Sequence, residues 1–371
     1  MVQRLLSPRF SWLLLLAAVV AVSVNGSGWR YLVDVEVYRQ GARAFWSSPG
    51  GLYEHGFPTA VAELPFTYPP FGALVLFPLA VLPQRTAEVA MTATSVACLW
   101  ISLRLVLPRR LPRHLILAAT AIALLAEPVT STISFGQINL LLMSLVLADF
   151  AGPRRLPRGV LTGIAAAIKL TPAVFVVYFL ARRDYRAAAA LTATFGGATA
   201  LAWAMRPADS TQYFTAALWN THRIGELGHA TNVSLMAVLT RAGLETYWPW
   251  VVAALGCVVC VFAWRTRIDA AAFLAVALFG VLASPVSWSH HWVWLVPAVA
   301  LTWRLGCRWW PCWAVAAMTV GQFHKWLPFG EWSQIESLLA AHYVFVGAGG
   351  MIALWRRGLV AQHFRHQEGQ L

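Results

Sequence analysis

Gly163-Ile-Ala-Ala-Ala-Ile-Lys-Leu-Thr-Pro-Ala-Val-Phe-Val-Val-Tyr-Phe179 (GIAAAIKLTPAVFVVYF) is apolar on both sides of a single cation. Neither half reaches the roughly 20 residues that a membrane-crossing helix needs. A Lys near the bilayer interior costs roughly 2.5–3.5 kcal/mol on insertion scales. Pro172 breaks the helix at the same place, because proline lacks the N–H and clashes with the preceding turn. Snorkelling to an interface would account for the Lys but not for the break. The stretch reads as two half-helices meeting at a charged cavity, an arrangement tolerated only where protein or water covers the broken backbone.

The rest of the chain agrees with a membrane setting. Of 371 residues, 59% are hydrophobic and 12% charged, and the mean hydropathy is +0.62. Soluble domains carry about 25% charged residues. The apolar runs are continuous rather than alternating, so helices are expected and a barrel is not. The fold class is an all-α polytopic membrane protein forming one domain over 1–371, with no separate soluble unit.

The net charge of +13 does not indicate nucleic acid. The arginines punctuate short loops: Arg109, Arg110 and Arg113; Arg154, Arg155 and Arg158; Arg182, Arg183 and Arg186; Arg265 and Arg267; Arg356, Arg357 and Arg365. That is the positive-inside pattern. With those loops in the cytoplasm, span 1 covers about 11–26 and is retained rather than cleaved as a signal peptide. The stretch 27–70 lies outside, and the short Pro-bounded piece 71–83 is interfacial or re-entrant. Crossings follow at 86–107, 115–128, 139–151, 159–171, 172–181 and 187–205. A second outer loop covers 206–247, and 248–264, 270–284, 291–304, 311–325 and 337–355 complete about twelve crossings. The path uses only charge bias and hydropathy, yet it puts every unusual polar motif on the outer side.

Those motifs carry the candidate chemistry. In "DVEVY", Asp34 is the candidate general base for an attacking hydroxyl, with Glu36 second; on a helix Asp34 and Tyr38 share a face and Glu36 points elsewhere. "PFTYPP" (Pro65–Pro70) ends one helix and starts another, and its Thr67 and Tyr68 suit a sugar site. "FGQIN" offers Gln137 and Asn139, either as helix caps or as partners for sugar hydroxyls. Lys169 is a candidate phosphate contact. "THRIGELGHATNVS" offers His222, Arg223, Glu226, His229 and Asn232 as substrate contacts, or else is a hydrated loop with a chance N-x-S sequon. In "SPVSWSHHWVW" (Ser284–Trp294), at least one of His290 and His291 should face a cavity, since adjacent residues on a helix point about 100° apart. Trp288 joins the substrate-contact candidates. No third ligand accompanies the histidines, so no zinc is expected, and no carboxylate cluster beyond Asp34 and Glu36 suggests another divalent metal. The C-x-x-C of Cys257 and Cys260 lies in an apolar run, and like Cys98, Cys307 and Cys312 it reads as packing.

In order, Asp34-x-x-Val37-Tyr38, Pro65-Phe-Thr-Tyr-Pro-Pro70, Gly136-Gln-Ile-Asn139, Lys169-Leu-Thr-Pro172 and Ser284-Pro-Val-Ser-Trp-Ser-His-His-Trp292 resemble the polyprenol-phosphate-mannose-dependent α-(1→2)-mannosyltransferases of glycosyltransferase family 87. The match runs from about residue 30 to 300. The resemblance implies a GT-C fold with an outer-face cavity in the plasma membrane. It also implies a polyprenyl-phosphate-mannose donor, a glycolipid acceptor (a phosphatidylinositol mannoside or a lipomannan) and no nucleotide sugar or other cofactor. It puts Asp34 at the family's base position and His290–His291 near the donor phosphate. A transporter or flippase of lipid-linked sugars is the rival reading. A membrane scaffold would leave Lys169 and the histidine pair without a purpose.

Overall fold

The computed structural model describes residues 7–25, 32–47, 50–153, 155–229, 231–306, 341–347, 349–350 and 352. The expected crossing at 311–325 and most of that at 337–355 lie outside them, as do Cys307 and Cys312. The described chain is mainly helical, with one hairpin of two-residue strands pairing Phe57–Pro58 and Glu63–Leu64.

Three described helices are long and apolar enough to cross a membrane: α5 (Gln84–Val106), α11 (Tyr185–Met205) and α14 (Trp248–Arg265), the last with a short 3-10 lead-in from Glu245. A fourth follows if α6 (Arg113–Leu124) and α7 (Glu127–Phe135) form one span, bent by 77°. Pro128 in the first turn of α7 accounts for the restart, since it has no N–H to carry the ladder across. The other apolar helices are shorter: α1 (Pro8–Asn25), α8 (Asn139–Ala151), α9 (Val160–Ile168), α10 (Phe175–Ala181), α15 (Asp269–Ala283) and α16 (Leu295–Arg304). The remaining elements are α2 (Val33–Ser47), α3 (Pro70–Val75), α4 (Phe77–Val81), α12 (Pro207–Gln212) and α13 (Leu235–Arg241). The region 27–70, expected as a loop, therefore holds an amphipathic helix, and 206–247 holds two.

The opening stretch folds back on itself. Lys169 is extended (φ −146°, ψ 127°), and a 3-10 turn over Thr171–Val174 leads into α10. The neighbours of α9 fix its direction. A Cβ on Gly159 would fall 2.1 Å from the Ala187 carbonyl oxygen, and one on Gly163 would fall 2.7 Å from that of Leu191. The two contacts climb both helices together, so α9 and α11 run parallel with their backbones touching, as small residues permit in membrane packing. Since α11 starts just after α10 ends, α10 runs antiparallel to α9. At a rise of 1.5 Å per residue, α9 is about 14 Å long and α11 about 31 Å. The tip of the hairpin, with Lys169, lies beside the middle of α11.

Two devices bring the amphipathic helix and the proline segment to that tip. Arg39 and Arg43 of α2 cap the end of α4: Arg39 donates to the Leu79 and Leu82 carbonyls (3.0 and 2.6 Å) and to Gln84, and Arg43 donates to Ala80 (2.9 and 3.1 Å). Guanidinium groups satisfy the orphan carbonyls of a helix C-terminus. Pro69 and Pro70 open α3 as expected. A Cβ on Gly72 would meet the Ile168 carbonyl at 2.8 Å, so α3 abuts the end of α9 and sets Tyr68 beside Lys169.

Candidate active site

Asp34, Lys169 and the histidine pair are far apart in sequence and line one cavity of about 710 Å³. Tyr38, Thr67, Tyr68, Gln137 and Trp288 line it too, with Thr221, Ile224 and Thr231 from the long 206–247 region.

One polar cluster organises the wall. Tyr38 and Tyr68 hydroxyls are 2.7 Å apart and lie 3.1 and 2.9 Å from Oε1 of Gln137. With its oxygen so engaged, Gln137 has its amide N–H groups left to face the nearby Asp34 carboxylate. Gly136 makes this possible. It ends α7 in the left-handed region (φ 75°), and a Cβ there would strike Val35 at 2.5 Å and Leu32 at 2.9 Å. The chain turns tightly against the start of α2 and delivers Gln137 to Asp34. Partial burial pushes the Asp34 carboxyl up to about 6, against the opposing effects of the Gln137 hydrogen bond and the Lys169 charge.

The Lys169 ammonium donates to Asn139 Oδ1 (3.0 Å) and to His291 Nε2 (3.1 Å), lies 3.5 Å from the Tyr68 hydroxyl, and sits 5.0 Å from the centre of the Tyr68 ring. An ammonium has no lone pair to offer, so His291 must accept at Nε2 and is a neutral ring. Both histidines line the cavity, but Nε2 of His291 is spent on aiming Lys169. His290 Nε2 is buried and, among the described residues, has no protein partner. Its ring meets Phe135 edge-on at 5.6 Å. The segment Ser289–Trp294 is 3-10 rather than α. Its His290 carbonyl is held by Asn139 Nδ2 (3.0 Å) and Thr132 Oγ1 (3.2 Å).

Seven sequence candidates fall outside the cavity wall, among them Glu226, which is exposed, and His229, whose Nδ1 lies 2.9 Å from Thr231 Oγ1. Asn139 is no cap, since α8 starts without a side-chain cap bond; its amide ties His290 to Lys169. Glu36 points away and accepts from the Ala60 N–H (3.0 Å). His222 is exposed. Arg223 donates to the Phe66 carbonyl (3.1 Å) and lies over the Tyr53 ring, so it pins the 206–247 region to the proline segment. Asn232, fully buried, donates to Leu227 and Pro285 carbonyls and accepts from Ser234 and Ser287 N–H groups. It is a structural cross-link, which its surface-loop composition concealed. Trp288 does reach the cavity, packed against His229 and close to Gly225. Sequence reasoning passed over Ser131 and Ser289, which line the cavity, and Glu127 behind them. The Glu carried a signal: an ionisable residue inside the apolar run "AIALLAEPVTSTIS".

A second, larger hollow of about 1320 Å³ runs between α1, α5 and α6 with mainly apolar walls. It adjoins the cavity, since Leu32 and Ser134 line the one and Val33 and Phe135 the other. Among the described residues, no three His, Cys, Asp or Glu come together to hold a metal ion.

The family model for glycosyltransferase family 87 matches residues 66–285. A polyprenol-phosphate-mannose-dependent alpha-(1-2)-phosphatidylinositol mannoside mannosyltransferase of Mycolicibacterium smegmatis is 38% identical over 91% of this chain and 84% of its own length. The chain belongs to glycosyltransferase family 87. That membership makes it a glycosyltransferase and decides against the transporter and flippase reading. A protein of the same description from Mycobacterium tuberculosis is 39% identical over 82% of this chain and 78% of its own. A phosphatidylinositol pentamannoside mannosyltransferase of Mycolicibacterium smegmatis is 36% identical over 72% of this chain and 70% of its own. No solved structure matches.

Proposed function

We propose that this family 87 protein moves mannose from polyprenyl-phosphate-mannose to a hydroxyl of a phosphatidylinositol mannoside, forming an α-(1→2) linkage with inversion. The donor and acceptor classes come from the relatives' descriptions. The observation that carries the reading is the shared cavity of Asp34, Lys169 and the histidine pair.

The acceptor O–H gives its proton to Asp34 while its oxygen bonds to the anomeric carbon. The bond from that carbon to the phosphate oxygen breaks, and polyprenyl phosphate departs with the electron pair. A carboxyl near 6 is ionised at neutral pH and is a stronger base than an ordinary aspartate. Lys169, aimed by Asn139 and His291, meets the charge growing on phosphate, and His290 Nε2 is placed as a further donor. The apolar hollow adjoining the cavity suits the polyprenyl chain. The arginine-rich loops support a GT-C arrangement in the plasma membrane with the cavity facing outward; the expected crossings at 159–171 and 172–181 are instead one re-entrant hairpin, α9 and α10, so the count falls below twelve.

The test is a membrane assay with labelled polyprenyl-phosphate-mannose and a panel of phosphatidylinositol mannosides, with linkage analysis of the product. Transfer only from a nucleotide sugar, or a β-linked product, would refute the reading.

A further inference from the structure

Glu127 takes no part in the chemistry above, yet it is one of the most buried carboxylates among the described residues, 1% exposed. It lies in the first turn of α7, just past the bend. Three hydroxyls converge on it: Ser131 (2.6 Å) and Ser289 (2.9 Å) donate to Oε1, and Tyr343 (2.5 Å) donates to Oε2. Ser289 immediately precedes His290. The Tyr343 ring packs on Trp292, 5.1 Å between centres, and Trp292 immediately follows His291. The two histidines thus lie between two points tied to a single carboxylate.

The segment needs such outside support. It is 3-10, it has no side-chain cap at its start, and Trp292 departs from helical angles (φ −82°, ψ 18°). Runs of 3-10 longer than three or four residues are uncommon because their hydrogen bonds are poorly aligned. We infer that Glu127 is a positioning residue for the transfer, setting His290 through Ser289, and Lys169 through His291, against the donor phosphate. This rests on the donor reading above.

A carboxylate suits the task because it only accepts, so all three hydroxyl protons turn inward. Ser131 and Ser289 line the cavity with those protons committed. They therefore present lone pairs to the cavity and favour a sugar hydroxyl that donates.

The experiment compares wild type with Glu127→Ala, Glu127→Gln and Ser289→Ala, purified in detergent, by steady-state kinetics in donor and acceptor separately. Because small misplacements at a reacting centre cost up to about 100-fold, Glu127→Ala is expected to lower kcat/KM for the donor by about 10- to 100-fold, leaving the acceptor KM unchanged. Glu127→Gln, which keeps one acceptor oxygen, should recover part of the loss. Ser289→Ala removes one bond and should give a smaller loss of the same pattern. Thermal unfolding is measured alongside. A lower Tm with unchanged donor kinetics in the folded fraction would make Glu127 a brace only and overturn the inference. If Glu127→Ala does not fold, unaltered donor kinetics in Ser289→Ala overturn it. Binding of polyprenyl phosphate alone, read by tryptophan fluorescence, separates this from the donor reading. Weaker binding in the variants supports the inference even where wild type transfers no mannose, and equal binding overturns it.

Discussion

Replacing Asp34 by Asn keeps the shape and removes the base. The raised carboxyl sets the size of the pH effect. With a pKa of about 6, about 90% is ionised at pH 7 and about 10% at pH 5, so wild-type kcat/KM should fall about tenfold between them. The sign follows from the role: a base must be deprotonated, so activity rises with pH and levels off above about 7. Asp34→Asn should lose roughly 10²–10⁴-fold in kcat, the usual contribution of a positioned base, and its residual activity should show no limb near 6. Stability runs the other way. A carboxyl whose folded pKa lies above its unfolded value binds more protons in the folded state between about 4 and 6, so stability falls as pH rises through that window. The neutral Asn escapes the cost, and its Tm at pH 7 should be no lower than wild type. The assay is transfer of labelled mannose from polyprenyl-phosphate-mannose across pH 5–8, with Tm measured on the same samples. Turnover within about threefold of wild type, or a limb near 6 surviving in the variant, would refute Asp34 as the base.

Lys169→Met should lower donor kcat/KM by about 10²-fold or more, because no other described cation lines the cavity; Lys169→Arg should recover only part, since a guanidinium fork does not fit between Asn139 and His291. Tyr68→Phe removes a hydroxyl shared by Tyr38, Gln137 and Lys169 and should cost about 1–2 kcal/mol of transition-state stabilisation, read as kcat/KM. Asn232→Ala should lower stability by about 1–3 kcal/mol, since it orphans the buried backbone N–H groups of Ser234 and Ser287, while folded protein keeps its kcat. Gly136→Ala should abolish activity with the protein still membrane-inserted, because the left-handed turn and the contacts with Leu32 and Val35 leave no room for a methyl; normal turnover would show that Gln137 and Asp34 need not be coupled.

The elements most legible in the sequence were those governed by local rules. The break at Lys169–Pro172 and the start of α3 at Pro70 follow from proline geometry. The divergence of Glu36 from Asp34 and Tyr38 follows from helical spacing. The loop composition of 27–70 and 206–247 misled about secondary structure, because short amphipathic helices such as α2 owe their stability to partners such as α4, not to their own hydropathy.

The amino-acid sequence by itself determined that this chain is a membrane helical protein whose motifs match glycosyltransferase family 87, because hydropathy, arginine spacing and proline are properties of short windows. Only the tertiary structure decided which polar groups are spent on one another. Asn232 and Arg223 look free in sequence and are consumed by backbone carbonyls. His291 serves Lys169 rather than facing the cavity with a free nitrogen, and Glu127 reaches the histidine segment from 162 residues away. A hydrogen bond depends on angstroms of separation in space, and residue order sets no such distance between remote segments.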